Sequence, residues 1–164
     1  METSGTDNYL LHVVIAVAGH EIEQITNVRL NDKNLTTSTS TINGSTVYTA
    51  TNSEYTNTDN DNSFSSGRLV RYSIEDGSQT TVNGFMNAQL ASMGTSDKFL
   101  GVAYVYIQMV FDAEKFGGGM PGISFKVKGK KCFDPRSNST AWTNNPALHI
   151  RDYLTNTDYG IKAQ

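Results

Sequence analysis

Several segments of this chain space their apolar and polar residues as β-strands do. Residues 10–17, "LLHVVIAV", form a compact apolar run rich in β-branched residues, the pattern of a strand buried on both faces or of a buried helical segment. Gly19 ends the run. Ile25, Val28 and Leu30 follow before an Asn31-Asp32 turn, so a hairpin or meander is expected. Further on, Leu69 precedes alternating Val70, Tyr72 and Ile74, and Asp76-Gly77 supplies a turn. The clearest strand is "GVAYVYIQMVFD", in which Ala103, Val105, Ile107, Met109 and Phe111 make one wholly apolar row and Val102, Tyr104, Tyr106, Gln108 and Val110 an amphipathic opposite row. This segment is expected at the centre of a sheet. In "ISFKVKGKK", Ile123, Phe125 and Val127 alternate with Ser124, Lys126 and Lys128, as in a strand with one wet face.

Two segments carry helical spacing. Val82, Phe85, Met86, Leu90 and Met93 recur three and four residues apart, which predicts a short amphipathic helix that Gly84 weakens by about 1 kcal/mol relative to Ala. The second is C-terminal. Asp134-Pro135 starts a turn; Asn145 then offers its side-chain oxygen as an N-cap and Pro146 suits the first helical position, which predicts a helix over 146–156. Ala147, Ile150 and Leu154 would share one face of it.

Residues 31–67 break the pattern. Ser, Thr, Asn and Asp dominate, apolar residues are isolated, and the stretch is expected to be a long polar excursion from the sheet. Within it "STVYTA" suits a short exposed strand. The fold class expected overall is mainly β: an antiparallel β-sandwich or barrel-like domain with one short internal helix and a C-terminal helix. Trp142 is expected to pin the turn before that helix, so that Trp142→Ala would cost about 3 kcal/mol or more were the ring buried.

Composition agrees with this picture. The 164 residues suit a single domain over 1–164, with 31–67 as its insertion, and a domain of that size hides roughly 70% of its unfolded surface. Thirteen basic residues stand against 16 acidic ones, a formal net charge of -3, so no sequence-wide basic field favours nucleic acid. A lone cysteine forms no internal disulfide. The apolar run from Tyr9 to Ala18 is half the length a membrane helix needs and follows an acidic start unlike a signal peptide, so a soluble, unprocessed chain without a membrane segment is expected.

Each candidate for chemistry has a plainer reading. Cys132 and His149 offer a nucleophile and a base, but no cysteine-protease signature surrounds Cys132, and a small side chain at a strand end is the simpler account. "HEIEQ" at 20–24 departs from the zinc-protease helix motif at Gln24, so no second imidazole arrives one turn on; no metal and no cofactor is expected. "GGGMPG" at 117–122 lacks a phosphate-loop lysine and precedes a strand, which suits a connection between two antiparallel strands. Lys126, Lys128 and Lys130, with Lys131 beside them, read as a solvated strand face that discourages edge pairing. Tyr48, Tyr55 and the surrounding Asp and Asn residues have the make-up of a sugar- or protein-binding loop, and equally of a tolerant insertion.

The run "FDAEKFGGGMPGISFKVKGKKCFDPRSNSTAWTNNPALHIRDYLTNTDYGI" resembles the tail-tip, or central hub, proteins of long-tailed bacteriophages, often described as host-specificity tail proteins. The residues that carry the likeness are Pro121, Val127, Gly129, Lys130, Lys131, Asp134, Pro135, Arg136, Trp142, Asn145, Pro146, Ala147, Leu148, Asp152, Tyr153, Leu154, Tyr159 and Gly160. "LLHVVIAVAGHEIEQITNVRLND" and "GVAYVYIQMVFD" look like earlier segments of the same region. The resemblance implies a structural virion component of a phage or prophage in the virion tail, with no catalytic residue. It also implies a homotrimer around the tail axis in the full-length protein, in contact with the distal tail ring and the tape-measure protein. Family members are much longer, so this chain is expected to be a domain-sized piece, with the regions that meet a host receptor beyond its end. Cys132 stands where the family usually has valine. The competing expectation is a receptor- or glycan-binding module acting through the 31–67 excursion. An enzyme ranks third, because neither two convergent carboxylates nor an activated nucleophile shows in the spacing.

Overall fold

The computed structural model describes residues 1–162, and antiparallel sheet dominates it. Six strands form the main sheet in the order β1 (Glu2–Ser4), β2 (Leu10–Ala18), β8 (Ala103–Val110), β7 (Val70–Asp76), β6 (Ser45–Ala50) and β5 (Thr37–Ile42). A three-stranded sheet holds β3 (Gln24–Leu30) between β4 (Lys33–Asn34) and β9 (Ile123–Lys128). The fold is mainly β and antiparallel, as the sequence pattern predicts, and no sheet closes into a barrel among the described residues.

β8 is the centre of the main sheet, and all eight of its residues are buried. Its apolar row, Ala103, Val105, Ile107 and Met109, joins Ile25, Val28 and Leu30 of β3 in one core, so the smaller sheet covers this face. The amphipathic row is buried as well, because α1 (Gly84–Gln89) lays Phe85 and Met86 over Tyr104, Tyr106 and Val47. Two of its polar members are satisfied inside: the Tyr106 hydroxyl lies 2.8 Å from His12 Nδ1, and the Gln108 carbonyl accepts from the Arg71 guanidinium at 2.8 Å, whereas the buried Tyr104 hydroxyl has no partner among the described residues. Phe111, placed by periodicity in the apolar row, is 65% exposed because the strand has ended at Val110. The internal helix is shorter than the spacing suggests; Asn83 caps it by accepting from Met86 N at 2.8 Å, and the chain leaves helical geometry at Leu90.

Residues 31–67 contribute to the sheet rather than leaving it. β5 and β6 are a hairpin closed by Asn43 (φ 47°) and Gly44 (φ 82°), the two left-handed residues of a type I′ turn. β6 is no exposed strand: Val47 and Ala50 are fully buried, and Tyr48 stacks on Tyr72 of β7 with ring centroids 5.0 Å apart. The rest of the stretch is tied down by polar groups. Tyr55 is buried and donates to the Leu30 carbonyl at 3.0 Å, while the Asn57 and Asn60 amides donate to the Asp112 carboxylate at 2.8 and 2.9 Å. Thr suits a pleated ladder whether or not it is apolar, so low hydrophobicity here marks sheet-edge strands and hydrogen-bonded loops, not a detached segment. The glycine-rich 117–122 segment follows the single turn α2 (Ala113–Phe116), and the strands it joins, β8 and β9, lie in different sheets.

Candidate functional site

Most of the residues that carry the resemblance, Pro121 excepted, lie in the C-terminal hairpin and the helix after it. After β9, Gly129 leads into a two-stranded hairpin of β10 (Lys131–Asp134) and β11 (Ser139–Trp142), and α3 (Pro146–Thr155) packs against β10. The hairpin turn is held by Asp134, whose carboxylate accepts from Arg136 N, Nε and an NH2 group at 2.9, 3.0 and 2.7 Å. Those bonds from Arg136 hold its acidity near pKa 2, well below the usual carboxylate range. Asn145 caps α3 by accepting from Ala147 N at 3.0 Å, and Pro146 opens it, as the sequence predicts.

Electrostatics closes the far end of the helix. The Lys130 ammonium lies 3.2 Å from the Asp152 carboxylate, and the Tyr159 hydroxyl bonds both. Burial alone would depress the Lys130 pKa, but the bonds to Tyr159 and Asp152 raise it. Gly160 is required where it stands. A Cβ there would lie 2.6 Å from the Asn156 carbonyl oxygen, and nearer still to that of Tyr153. The Tyr153 carbonyl also accepts from Ile161 N at 3.1 Å.

Cys132 and His149 do meet. The thiol sulfur lies 3.4 Å from His149 Nδ1, and His149 Nε2 lies 2.9 Å from the Thr143 carbonyl oxygen. That carbonyl can only accept, so Nε2 carries the proton and Nδ1 is left to accept from the thiol. The imidazole is exposed, but Cys132 is only 2% exposed. Burial, helped by the Asp152 carboxylate and opposed by Lys130, pushes the thiol pKa up. A reactive cysteine needs the opposite shift. The pair has the contact of a nucleophile and base with the thiol in its inert form.

Trp142 does not pin the turn by burial. All four residues of β11 are exposed, Trp142 at 38%, and the Lys128 ammonium lies 5.0 Å from the indole centroid. The face of α3 presented to the hairpin also differs from the expected one. Leu148 is the helix's buried residue, Arg151 lies over the Phe133 ring at 5.2 Å, and Asp152 faces Lys130. Ala147, Ile150 and Leu154, the face expected to dock, point outward with Tyr153; Ile150 is 60% exposed and Tyr153 53%. The lysine row is likewise divided: Lys126 is solvated, whereas Lys128, Lys130 and Lys131 each face a partner, the last at 2.8 Å from Glu21.

Pro121 stands apart from this cluster. It is buried at the entry to β9, beside Leu11 and Phe116 in a small apolar hollow. Pro135 and Arg136 are exposed at the hairpin tip. His20 precedes β3 outside any helix, with its Nδ1 3.0 Å from the Glu21 carbonyl. Among the described residues no three metal-ligating side chains converge, and no helix is long and apolar enough to cross a membrane. Compared with protein-family models, with curated proteins and with solved structures, the chain matches none.

Proposed function

We propose that this chain is a structural piece of a bacteriophage or prophage tail tip, a domain of the central hub that works by assembly rather than catalysis. The observation that carries the reading is the orientation of α3. The helix turns Leu148, Arg151 and Asp152 toward the hairpin and leaves Ile150, Tyr153 and Leu154, neighbours one turn apart, facing solvent. Contiguous exposed apolar side chains rimmed by charge belong to protein contacts, and Tyr is enriched at such surfaces. The occupant this reading assigns to the face is a neighbouring tail-tip subunit.

The resemblance over Pro121–Gly160 supports the same reading and supplies its partners: a homotrimer around the tail axis in the full-length protein, the distal tail ring and the tape-measure protein, with the virion tail as location. The buried thiol of Cys132, with its raised pKa, favours assembly over a nucleophilic role. Host attachment belongs to the longer hub protein of which this domain is a part.

The test places Ile150→Asp and Leu154→Asp in the full-length protein. Ile150 is 60% exposed and Leu154 36%, so the isolated domain should keep its circular dichroism, with a urea stability within about 0.5 kcal/mol for Ile150→Asp and a loss of about 1 kcal/mol for Leu154→Asp. Tails should then lack the protein or fail to mature. Normal incorporation of both variants would contradict the proposal.

A further inference from the structure

A polar groove runs between the two sheets, well away from the C-terminal hairpin. One wall is β3 from Gln24 to Val28; the other is the face of β6 and β7 that carries Tyr48 and Tyr72. Its cavity is about 350 Å³, and a second hollow of about 410 Å³ continues it past Gln24, Tyr48 and Ile74 toward Glu75 and Asp76. Volumes of this order suit a ligand of several rings.

We propose that this groove binds a neutral saccharide, with Tyr48 as its platform and Gln24 and Asn27 as its hydroxyl readers. Tyr48 is half-buried between Tyr72, on which it stacks at 5.0 Å and 14°, and Thr39, its partner on β5. A threonine is too short to cover a phenol ring, so the ring keeps an open apolar face, the surface to which the C–H face of a sugar packs. The planar amides of Gln24 and Asn27 each offer paired donors and acceptors. Other polar groups of the wall are already engaged: Thr26 Oγ1 donates to the Lys126 carbonyl and Asn34 Oδ1 accepts from Arg29 Nε. Gln24, Asn27 and Tyr48 side chains make no hydrogen bond among the described residues.

The backbone adds an independent sign. Asn27 sits at φ 50°, in the left-handed region, where the register of β3 against β9 slips between Thr26 and Arg29. A bulge of this kind re-aims a side chain, and left-handed residues other than glycine gather at binding sites. Charge selects the class of sugar. Among the described residues no lysine or arginine lines either hollow; at the acidic end Glu75 is held by the Asn83 amide at 2.6 Å and Glu23 lies 3.8 Å from the Lys131 ammonium, so the groove offers phosphates and acidic sugars no cation of its own and suits an uncharged ligand.

The experiment is a titration of the isotope-labelled chain, followed by backbone amide shifts. The probes are neutral oligosaccharides of glucose, galactose, mannose and N-acetylglucosamine, each taken to about 10 mM, with a sulfated glucose oligomer beside them. The expected result is shifts confined to β3, β6 and β7 with at least one neutral sugar. Asn27→Gly, which keeps the left-handed backbone and deletes the amide, and Gln24→Ala should each weaken binding roughly tenfold. Absence of shifts with every neutral probe, preference for the sulfated oligomer, or full affinity in both variants would overturn the proposal. The assembly reading is separate: Ile150→Asp should leave this titration unchanged.

Discussion

Gly84→Ala reverses sign between sequence and structure. Helix propensity alone makes it stabilising by about 1 kcal/mol. In the fold, a Cβ on Gly84 would lie 2.0 Å from the carbonyl oxygen of Asn43 and 3.0 Å from its carbonyl carbon, against a backbone that cannot swing aside like a side chain. Asn43 is fixed in the type I′ turn, and the next residue but one, Ser45, accepts a hydrogen bond from Gly84 N at 2.9 Å. Separating helix from hairpin therefore costs about 2 kcal/mol of overpacking and about 1 kcal/mol for the lost bond. Set against the gain in propensity, the variant should be less stable by about 2 kcal/mol. Urea unfolding followed by circular dichroism measures this as a lower midpoint at unchanged slope. Gly19→Ala, at a glycine with nothing within 4 Å of its Cβ position, is the control. A Gly84→Ala protein as stable as the parent, or more so, would refute the close approach of α1 to the hairpin and with it the covering of the second sheet face.

Three further outcomes follow from buried and half-buried groups. Trp142→Ala should cost about 1 to 2 kcal/mol in urea unfolding, reflecting partial burial and the Lys128 contact rather than a core anchor; a loss above about 3 kcal/mol would restore the anchoring role. Burial lowers the His12 pKa from 6.5, against a weaker upward pull from Glu2, so the unfolded chain takes up the proton first. Stability should therefore hold above about pH 6.5 and fall as the pH drops below it; His12→Gln should flatten that slope, and an equal slope in the variant would assign it elsewhere. The folded protein should be alkylated by iodoacetamide at Cys132 far more slowly than the same chain in urea; equal or faster labelling, read by mass, would mark an activated thiol.

The strands with strong apolar alternation were legible in the sequence, and so was the start of α3, because β8 and the Asn145-Pro146 cap are decided by local chemistry. The Asn43-Gly44 step was also present as a hairpin signal, yet Ser and Thr on either side of it disguised two sheet strands. Their burial comes from neighbours far along the chain: Phe85 covers Val47, and Tyr72 stacks on Tyr48. The docked face of α3 lay beyond periodicity for a related reason. Ionic and cation–π contacts of Arg151 and Asp152 with Phe133 and Lys130 orient the helix against its apolar stripe. The meeting of Cys132 with His149 depends on the chain reversing through β10, β11 and the Thr143 turn, which residue types do not encode singly. The groove against β3 is likewise a product of two sheets meeting, signalled in sequence only by Tyr48 and its polar surroundings.

Cryo-electron microscopy of tail particles made from the genome that encodes this chain tests the assembly reading most directly. Density for the domain is expected at the tail tip, repeated threefold about the axis, with Ile150, Tyr153 and Leu154 covered by a neighbouring subunit. Particles lacking the domain, or a tip in which that helix face meets only solvent, would contradict it.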